Sequence, residues 1–325
     1  KEFSHAVTLS GHEIFITVSL GVASFPGDGK VLHTLIKNAD TALHHSKRDG
    51  QNHFRIYSHQ MNVRSLERLA LENSLRKALL ANEFFLCYQP QVNLNTGKII
   101  GAEALIRWQH PEKGLIPPEG FIPMAESTGL INSIGHWVLL EACGQMKKWL
   151  DSGFPLKRMA VNLSSVQFQQ VEFMKIIRDV LESSGLASSY LELELTETSV
   201  MRNADKSISM LHDVREEGVA LAVDDFGTGY SSLSYLKRFP INALKIDRSF
   251  INDIEHNADD AAITYSIITM AHNLNLKVIA EGVETEGQLE LLRRHRCDEA
   301  QGFLFGQAMR ADDFIKLLAK QAGAE

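Results

Sequence analysis

Cysteine is scarce. The three residues present, Cys87, Cys143 and Cys297, are too few and too far apart for a disulfide framework, and none belongs to a CxxC pair. They read as small hydrophobic fillers of a chain in a reducing compartment, so the expected localisation is cytoplasmic. No His/Cys set has the spacing of a zinc site. No uninterrupted apolar run approaches the ~20 residues of a membrane span, and no signal peptide opens the chain. Residue 1 is a Lys in the middle of a pattern, so the sequence reads as cut from a longer parent, whose membrane or sensor parts would lie upstream. Positive charge is also short: 33 Lys and Arg face 40 Asp and Glu, a net charge of -7. That argues against DNA or RNA polymers as partners, since such binders carry a basic face. The basic run Arg293-Arg294-His295-Arg296 reads as a solvated helix face. A small phosphate ligand can still bind where metal ions or a local Arg or Lys supply the charge.

What is present is a large core. Hydrophobic residues make up 44% of the chain, enough for one big domain plus a fragment. The first stretch, residues 1–58, reads as strand, strand, helix, strand. Alternation from His12 to Ala23 suggests a strand, and Pro26-Gly27-Asp28-Gly29 a turn. Leu32, Leu35, Ile36, Ala39 and Leu43 follow helical spacing up to Gly50, and Phe54-Arg55-Ile56-Tyr57 suggests another strand. Residues 59–82, rich in Leu, Arg and Glu without Gly or Pro, read as a charged amphipathic connecting helix.

Residues 83–325 alternate short apolar runs with helical patterns. Strand candidates lie at 84–88, 99–105, 159–163, 191–195, 219–224, 243–247, 277–281 and 297–302. Eight such units in ~250 residues imply an α/β fold, a closed (β/α)8 TIM-type barrel. The loop Asn93–Lys98 is only a tight turn, too short for a parallel crossover, so the first strand should be antiparallel. The small N-terminal fragment would be α+β.

Most of these runs carry a residue that a buried strand should avoid: Glu103, Asn162, Glu194, Asp224 with Asp225, Lys245 with Asp247, Glu281 and Gln301. In a barrel, the C-terminal strand ends converge on one mouth, so residues distant in sequence meet there. Acids with an Asn and a Lys make a hard-oxygen cage suited to Mg²⁺ or Mn²⁺. Any one acid could instead cap the helix after its strand; seven strands doing so together is a weaker explanation. The adjacent carboxylates of Asp224 and Asp225 repel unless a cation separates them. Two metals at such a pair can activate a water and stabilise the leaving oxygen of a phosphodiester. The following Gly227-Thr228-Gly229-Tyr230-Ser231-Ser232 is neither GxGxxG nor a P-loop, and reads as a mobile loop over the site. Arg107, just past Glu103, can pair with a phosphate or form a surface salt bridge.

These residues resemble the EAL family of cyclic-diguanylate phosphodiesterases from about Leu66 to near the C-terminus. The motifs are Tyr88-Gln89-Pro90; Glu103-Ala104-Leu105 with Arg107-Trp108 and His110-Pro111; Asn162-Leu163-Ser164; Glu194-Leu195-Thr196-Glu197; Asp224-Asp225-Phe226-Gly227-Thr228-Gly229; Lys245-Ile246-Asp247; Glu281-Gly282-Val283-Glu284; and Gln301-Gly302-Phe303. The resemblance implies hydrolysis of cyclic diguanylate (c-di-GMP) to linear pGpG with two Mg²⁺ or Mn²⁺ ions per site, Ca²⁺ inhibiting. It implies one metal on Glu103, Asn162, Glu194 and Asp224, and a second on Asp224, Asp225 and Glu281. Lys245, Glu281 and Asp225 would be catalytic, with Lys245 orienting the water. Gln89, Leu105, Arg107, Asp247, Glu284 and Gln301 would hold the nucleotide, and Glu197 would anchor the glycine loop. It also implies a symmetric homodimer through the barrel. Ala308 stands where the family usually has Pro, outside the ligand set.

The first part resembles the C-terminal end of a GGDEF domain, through Val18–Ala23, Leu35–Leu43 and Gly50-Gln51-Asn52. The GGDEF signature loop itself is missing, so synthesis of the messenger is not expected of this chain. A catalytically silent receptor that binds the nucleotide and signals through a partner is the rival reading. Every metal-ligand position is filled, which favours the enzyme. A third reading, hydrolysis gated by a partner domain, stays open because of the fragment and the connecting helix.

Overall fold

The computed structural model describes residues 7–9, 12–14, 17–48, 53–201, 204–229 and 233–322. The chain divides into two compact units, Lys1–Lys77 and Ala78–Glu325. In the first unit, Val7–Leu9 pairs antiparallel with His12–Ile14, and Leu20–Val22 pairs parallel with Phe54–Ile56. The alternation from His12 to Ala23 is thus two short strands, His12–Ile14 and Leu20–Val22, not one. Phe15 and Ile16, within that span, and the Gly50-Gln51-Asn52 motif lie outside the described residues. The helix Leu32–Arg48 packs its backbone onto Gly21, where an added Cβ would sit 2.0 Å from the Ala39 carbonyl oxygen. Only glycine permits that approach. A second helix runs from His59 to Ala78.

The second unit is a closed barrel of eight strands: β1 (Phe84–Asn93), β2 (Ile99–His110), β3 (Arg158–Asn162), β4 (Leu191–Thr196), β5 (Ala220–Phe226), β6 (Ala243–Ile246), β7 (Lys277–Ala280) and β8 (Glu299–Gln301). Pairing runs in parallel from β2 through β8, and β1 closes the ring antiparallel to both of its neighbours. The tight turn before β2 dictates this. Asn93 accepts the Gly97 N–H on its carbonyl and the Thr96 N–H on its side chain, and Gly97 takes a φ of 68°. The chain therefore reverses without room for a crossover helix. A short strand, Gly114–Ile116, extends β2 as a hairpin.

Helices cover the outside of the barrel, as alternating strand and helix patterns require. Ile131–Asp151 buries Ile131, Ile134, Val138, Ala142 and Met146 at i, i+3 and i+4 spacing. Reciprocal caps start two helices near the strand ends. Ser164 with Gln167 opens Ser165–Phe168, and Thr285 with Gln288 opens Glu286–Arg294. Among the described residues, no helix is long and apolar enough to cross a membrane.

The barrel interior is layered. Ala222, Ala243 and Ile279 form a buried apolar patch. Beside it lies a polar layer around Arg158, which pairs with Glu192 at 3.3 Å and with Glu299, and donates to Gln91 at 2.7 Å. Room for it comes from Gly101, where a Cβ would meet Arg158 Cγ at 2.8 Å and Gln91 Oε1 at 3.1 Å. Both neighbours are buried and held by hydrogen bonds, so neither can give way easily. Gly101→Ala should therefore destabilise the barrel by about 1–3 kcal/mol through overpacking. Urea unfolding of the variant would show this as a lower midpoint; an unchanged midpoint would mean that the interior yields.

Candidate active site

Strand alternation aims every second side chain of a barrel strand inward. Glu103 on β2, Asn162 on β3, Glu194 on β4, Asp224 on β5 and Lys245 on β6 all reach the mouth in this way, together with Glu281 just past β7 and Gln301 on β8. The focus is Lys245, whose side chain has 0% exposure. Its ammonium lies 2.7 Å from Glu281 Oε1, 2.8 Å from Glu194 Oε2, 3.4 Å from Asp224 Oδ1 and 3.6 Å from Glu103 Oε2. Four carboxylates from four segments thus share one cation.

Further hydrogen bonds fix the carboxylates. Asn162 Nδ2 donates to Glu103 Oε1 at 2.5 Å, which leaves the Asn162 carbonyl oxygen free to act as a ligand. Gln301 donates to the other Glu103 oxygen and to Gln89 Oε1, the latter at 3.0 Å. Gln89 in turn donates to the Gly306 carbonyl at 3.2 Å.

Adjacent residues of a regular strand face opposite sides, so Asp224 and Asp225 could not both address the mouth. The β5–β6 register slips between Val223 and Phe226, and Asp225 takes a φ of 54°. This left-handed bulge turns both carboxylates to one side. One carboxylate oxygen from each of Asp224, Asp225 and Glu281 then lies within 4.8 Å of the others. Asp tolerates this backbone region better than most residues do.

Charge balance explains the titration of the site. Burial opposes the Lys245 ammonium, but Asp224, Glu103, Glu194 and Glu281 together raise its pKa well above the usual value. For Glu103, burial is outweighed by Lys245 and by the hydrogen bonds from Gln301 and Asn162, so its pKa falls. Burial raises Glu194 well above the carboxylate range, with Glu103 and Asp224 adding to the shift and Lys245 opposing it. Burial, then Asp224 and Asp247, push Asp225 up to about 6. Burial, opposed by Lys245 and reinforced by Asp224 and Glu103, pushes Glu281 up to about 8. One lysine does not neutralise this many acids.

Hard divalent cations fit that deficit. Among the described residues, Glu194 Oε1 is a buried side-chain oxygen without a hydrogen-bond partner. It is the kind of orphaned acceptor that a metal ion would satisfy. The acidic group Asp224, Asp225 and Glu281 can hold a metal ion.

The remaining residues singled out in the sequence take varied positions. Leu105 and Arg107 continue β2 and are half-buried, and Arg107 Nη1 donates to the Ile106 carbonyl. Asp247 does not pair with Lys245. It caps the short helix Arg248–Ile251, accepting from the Ser249 N–H at 3.0 Å and from the Ser249 hydroxyl at 2.5 Å. The reading of strand-end acids as helix caps therefore holds at this position. Glu284 is exposed on the loop after β7, whose backbone N–H groups at 284 and 285 are accepted by buried Gln288. Glu197 accepts the Gly227 N–H at 2.9 Å, and its other oxygen lies 2.6 Å from where a Gly229 Cβ would stand. Tyr230, Ser231 and Ser232 of that loop lie outside the described residues.

Sequence reasoning missed Gln91, Arg158, Glu192 and Glu299. Each carried a legible signal: Gln91, Glu192 and Glu299 stand two positions from Gln89, Glu194 and Gln301, and Arg158 four from Asn162, so each shares their face deeper in the barrel.

Residues 72–308 match the EAL domain family, and residues 1–53 match the family described as diguanylate cyclase, GGDEF domain. MucR of Pseudomonas aeruginosa, a bifunctional diguanylate cyclase/cyclic di-GMP phosphodiesterase, is 47% identical over 98% of this chain and 47% of its own length. The cyclic di-GMP phosphodiesterase NbdA of the same organism is 43% identical over 95% of this chain and 40% of its own length. The chain thus spans less than half the length of these relatives. A solved structure of the MucR phosphodiesterase in complex with c-di-GMP superposes with a TM-score of 0.74 at 50% identity, covering 75% of this chain and 99% of that one.

The raised carboxyl groups make metal binding pH-dependent. A cation takes the ionised form, so binding must expel the Glu281 proton below about pH 8 and the Asp225 proton below about pH 6. Mn²⁺ affinity should climb at least about tenfold per pH unit between pH 6 and 8, as the Glu281 proton is displaced. The stability sign is the reverse in the metal-free protein. Folded Glu281 binds a proton that the unfolded chain has lost above its ordinary carboxyl value, so this contribution is lost as pH rises towards 8. Calorimetric Mn²⁺ titrations at pH 6, 7 and 8, with Glu281→Gln as reference, check the first sign, and urea unfolding of the metal-free protein at the same pH values checks the second; a pH-independent affinity would contradict the assignment.

Proposed function

The chain belongs to the EAL domain family, and from that membership and the geometry of the barrel mouth we propose that it hydrolyses c-di-GMP to linear pGpG. The observation that carries this reading is the fully buried Lys245 ammonium, ringed by Glu103, Glu194, Asp224 and Glu281, with Asp225 brought to the same side. A binding protein has no need to sustain so costly a cluster. Its relatives named as c-di-GMP phosphodiesterases, and the complex of one of them with c-di-GMP, support the substrate.

Two Mg²⁺ or Mn²⁺ ions would supply a nucleophilic water at neutral pH and offset charge on the reacting phosphate. Glu103, Asn162, Glu194 and Asp224 would hold one ion, and Asp224, Asp225 and Glu281 the other. Lys245 donates a hydrogen bond that keeps the water in line with phosphorus. Glu281 accepts the proton of that water, with Asp225 beside it. The water oxygen bonds to phosphorus, the phosphorus–O3′ bond breaks, and the O3′ leaves with a proton taken from solvent, to which Glu281 returns the one it accepted. Gln89, Leu105, Arg107, Asp247, Glu284 and Gln301 hold the nucleotide, and Glu197 ties down the glycine loop through Gly227.

The proposal extends to organisation. Residues 1–58 are the end of a GGDEF domain, 59–82 a connecting helix and 83–325 the phosphodiesterase barrel. The barrel pairs as a symmetric homodimer in the cytoplasm, whether or not the parent is membrane-anchored.

Incubation with c-di-GMP and Mg²⁺ or Mn²⁺ should yield pGpG by chromatography. Exhaustive chelation should abolish it, and Ca²⁺ should inhibit because its longer, looser shell misplaces the water. Undiminished turnover after chelation would end the metal-dependent reading. Glu103→Ala should lower kcat at least ~10³-fold, the scale of losing a main electrostatic element. Its fold should persist by circular dichroism, since the substitution is at the rim. A near-wild-type rate at saturating Mg²⁺ would remove Glu103 from the ligand set.

A further inference from the structure

Below the acidic mouth, three buried side chains form a hydrogen-bonded chain with one direction. Arg158 Nε donates to Gln91 Oε1 at 2.7 Å. Gln91 Nε2 donates to Gln301 Oε1 at 3.2 Å. Gln301 Nε2 then donates to Glu103 Oε2 and, at 3.0 Å, to Gln89 Oε1. The relative exposures are 8% for Arg158, 0% for Gln91, 5% for Gln301 and 5% for Glu103, so all four side chains are withdrawn from bulk solvent.

The direction follows from the guanidinium. Arginine has only donors, so Gln91 must turn its oxygen towards Arg158 and its amide nitrogen towards Gln301. Gln301 must then present its oxygen to Gln91 and its nitrogen to Glu103. A glutamine amide alone has two nearly equivalent orientations; here each is set by the one before it. Reversing Gln301 would set its oxygen against the Glu103 carboxylate, acceptor against acceptor. Arg158 is itself immobilised by Glu192 at 3.3 Å and by Glu299.

We propose that Arg158 is a positioning residue, acting through Gln91 and Gln301 to fix the Glu103 carboxylate for metal binding. This rests on the reading of Glu103 as a metal ligand. With Gln301 on one oxygen and Asn162 on the other, the carboxylate plane is held before any cation arrives. Such preorganisation is what a metal site needs from its supporting side chains.

The test reverses the chain's polarity with little change of shape. In Gln91→Glu the side chain still accepts from Arg158 but has no donor. It therefore draws the Gln301 nitrogen towards itself and turns the Gln301 oxygen onto Glu103. In Gln91→Met the constraint is simply removed. Mn²⁺ binding is read from the free-ion electron paramagnetic resonance signal, alongside kcat and cooperative urea unfolding. Gln91→Glu should weaken Mn²⁺ binding at least tenfold and lower kcat similarly, with Gln91→Met between it and the wild type. Added negative charge alone favours a cation, so this order reports orientation and not charge. Affinity for Gln91→Glu equal to or above wild type overturns the relay. If that variant does not fold, Gln91→Met within threefold of wild type overturns it as well. A wild type that binds no Mn²⁺ defeats the metal-site reading and the relay with it; a binding wild type with unchanged variants defeats the relay alone.

Discussion

Taking the Lys245 ammonium out of water costs several kcal/mol unless carboxylates replace its hydration. Four of them do so, from the strand ends of β2, β4, β5 and β7. Each of those carboxyl groups is buried or nearly so, and the lysine favours the ionised form of Glu103, Glu194 and Glu281. The lysine and the acids are therefore interdependent: the barrel mouth can hold its charge only as a set. This dependence spreads into the surrounding structure. Asn162 and Gln301 hold Glu103, Glu197 holds Gly227, and Gln288 clasps the loop that follows Glu281 to the carbonyls of Ile251 and Asn252.

The acids still outnumber the lysine, and that imbalance distinguishes the mouth from an ordinary buried salt bridge. A buried pair contributes little net stability and can often be replaced by apolar residues. Here burial leaves Glu281 and Asp225 with raised proton affinity and Glu194 with an unpartnered oxygen. Asp224, Asp225 and Glu281 in such an arrangement could hold a metal ion. The Asp225 bulge contributes to the same end. It gives up regular pairing between β5 and β6 and brings a second acid of β5 to the cluster.

Below the mouth, the barrel interior is not a uniform apolar plug. The apolar patch of Ala222, Ala243 and Ile279 and the polar layer of Arg158, Gln91, Glu192 and Glu299 share the space under the site. The antiparallel β1 makes this possible. It places Gln89 opposite Glu103 and Gln91 opposite Gly101, so the Gln91 side chain, with Arg158, fills space that the missing Gly101 side chain leaves. Small and large residues facing each other across a register are how a closed barrel accommodates a buried arginine.

Much of this was legible in the sequence, and the reason is periodicity. Inward-facing positions recur every second residue and strand ends recur every unit, so polar residues at strand termini announced a shared mouth. A six-residue turn announced the antiparallel first strand. Individual partners were not legible. Lys245 stands two residues from Asp247, yet it pairs with Glu194 and Glu281, because the neighbouring β7 and, one strand beyond β5, the inward face of β4 bring those closer than its own chain does. Asp247 instead turns back to cap its own helix. Asp224 and Asp225 were visible as a pair, but only the register slip at β5 shows how two neighbours face one way. The Arg158 layer went unread because strand alternation identifies a face, while depth along that face depends on the stagger between strands. The sequence by itself determined the barrel, its polar rim and the family. The tertiary structure decided which acid meets which cation, because that depends on register across strands far apart in the chain.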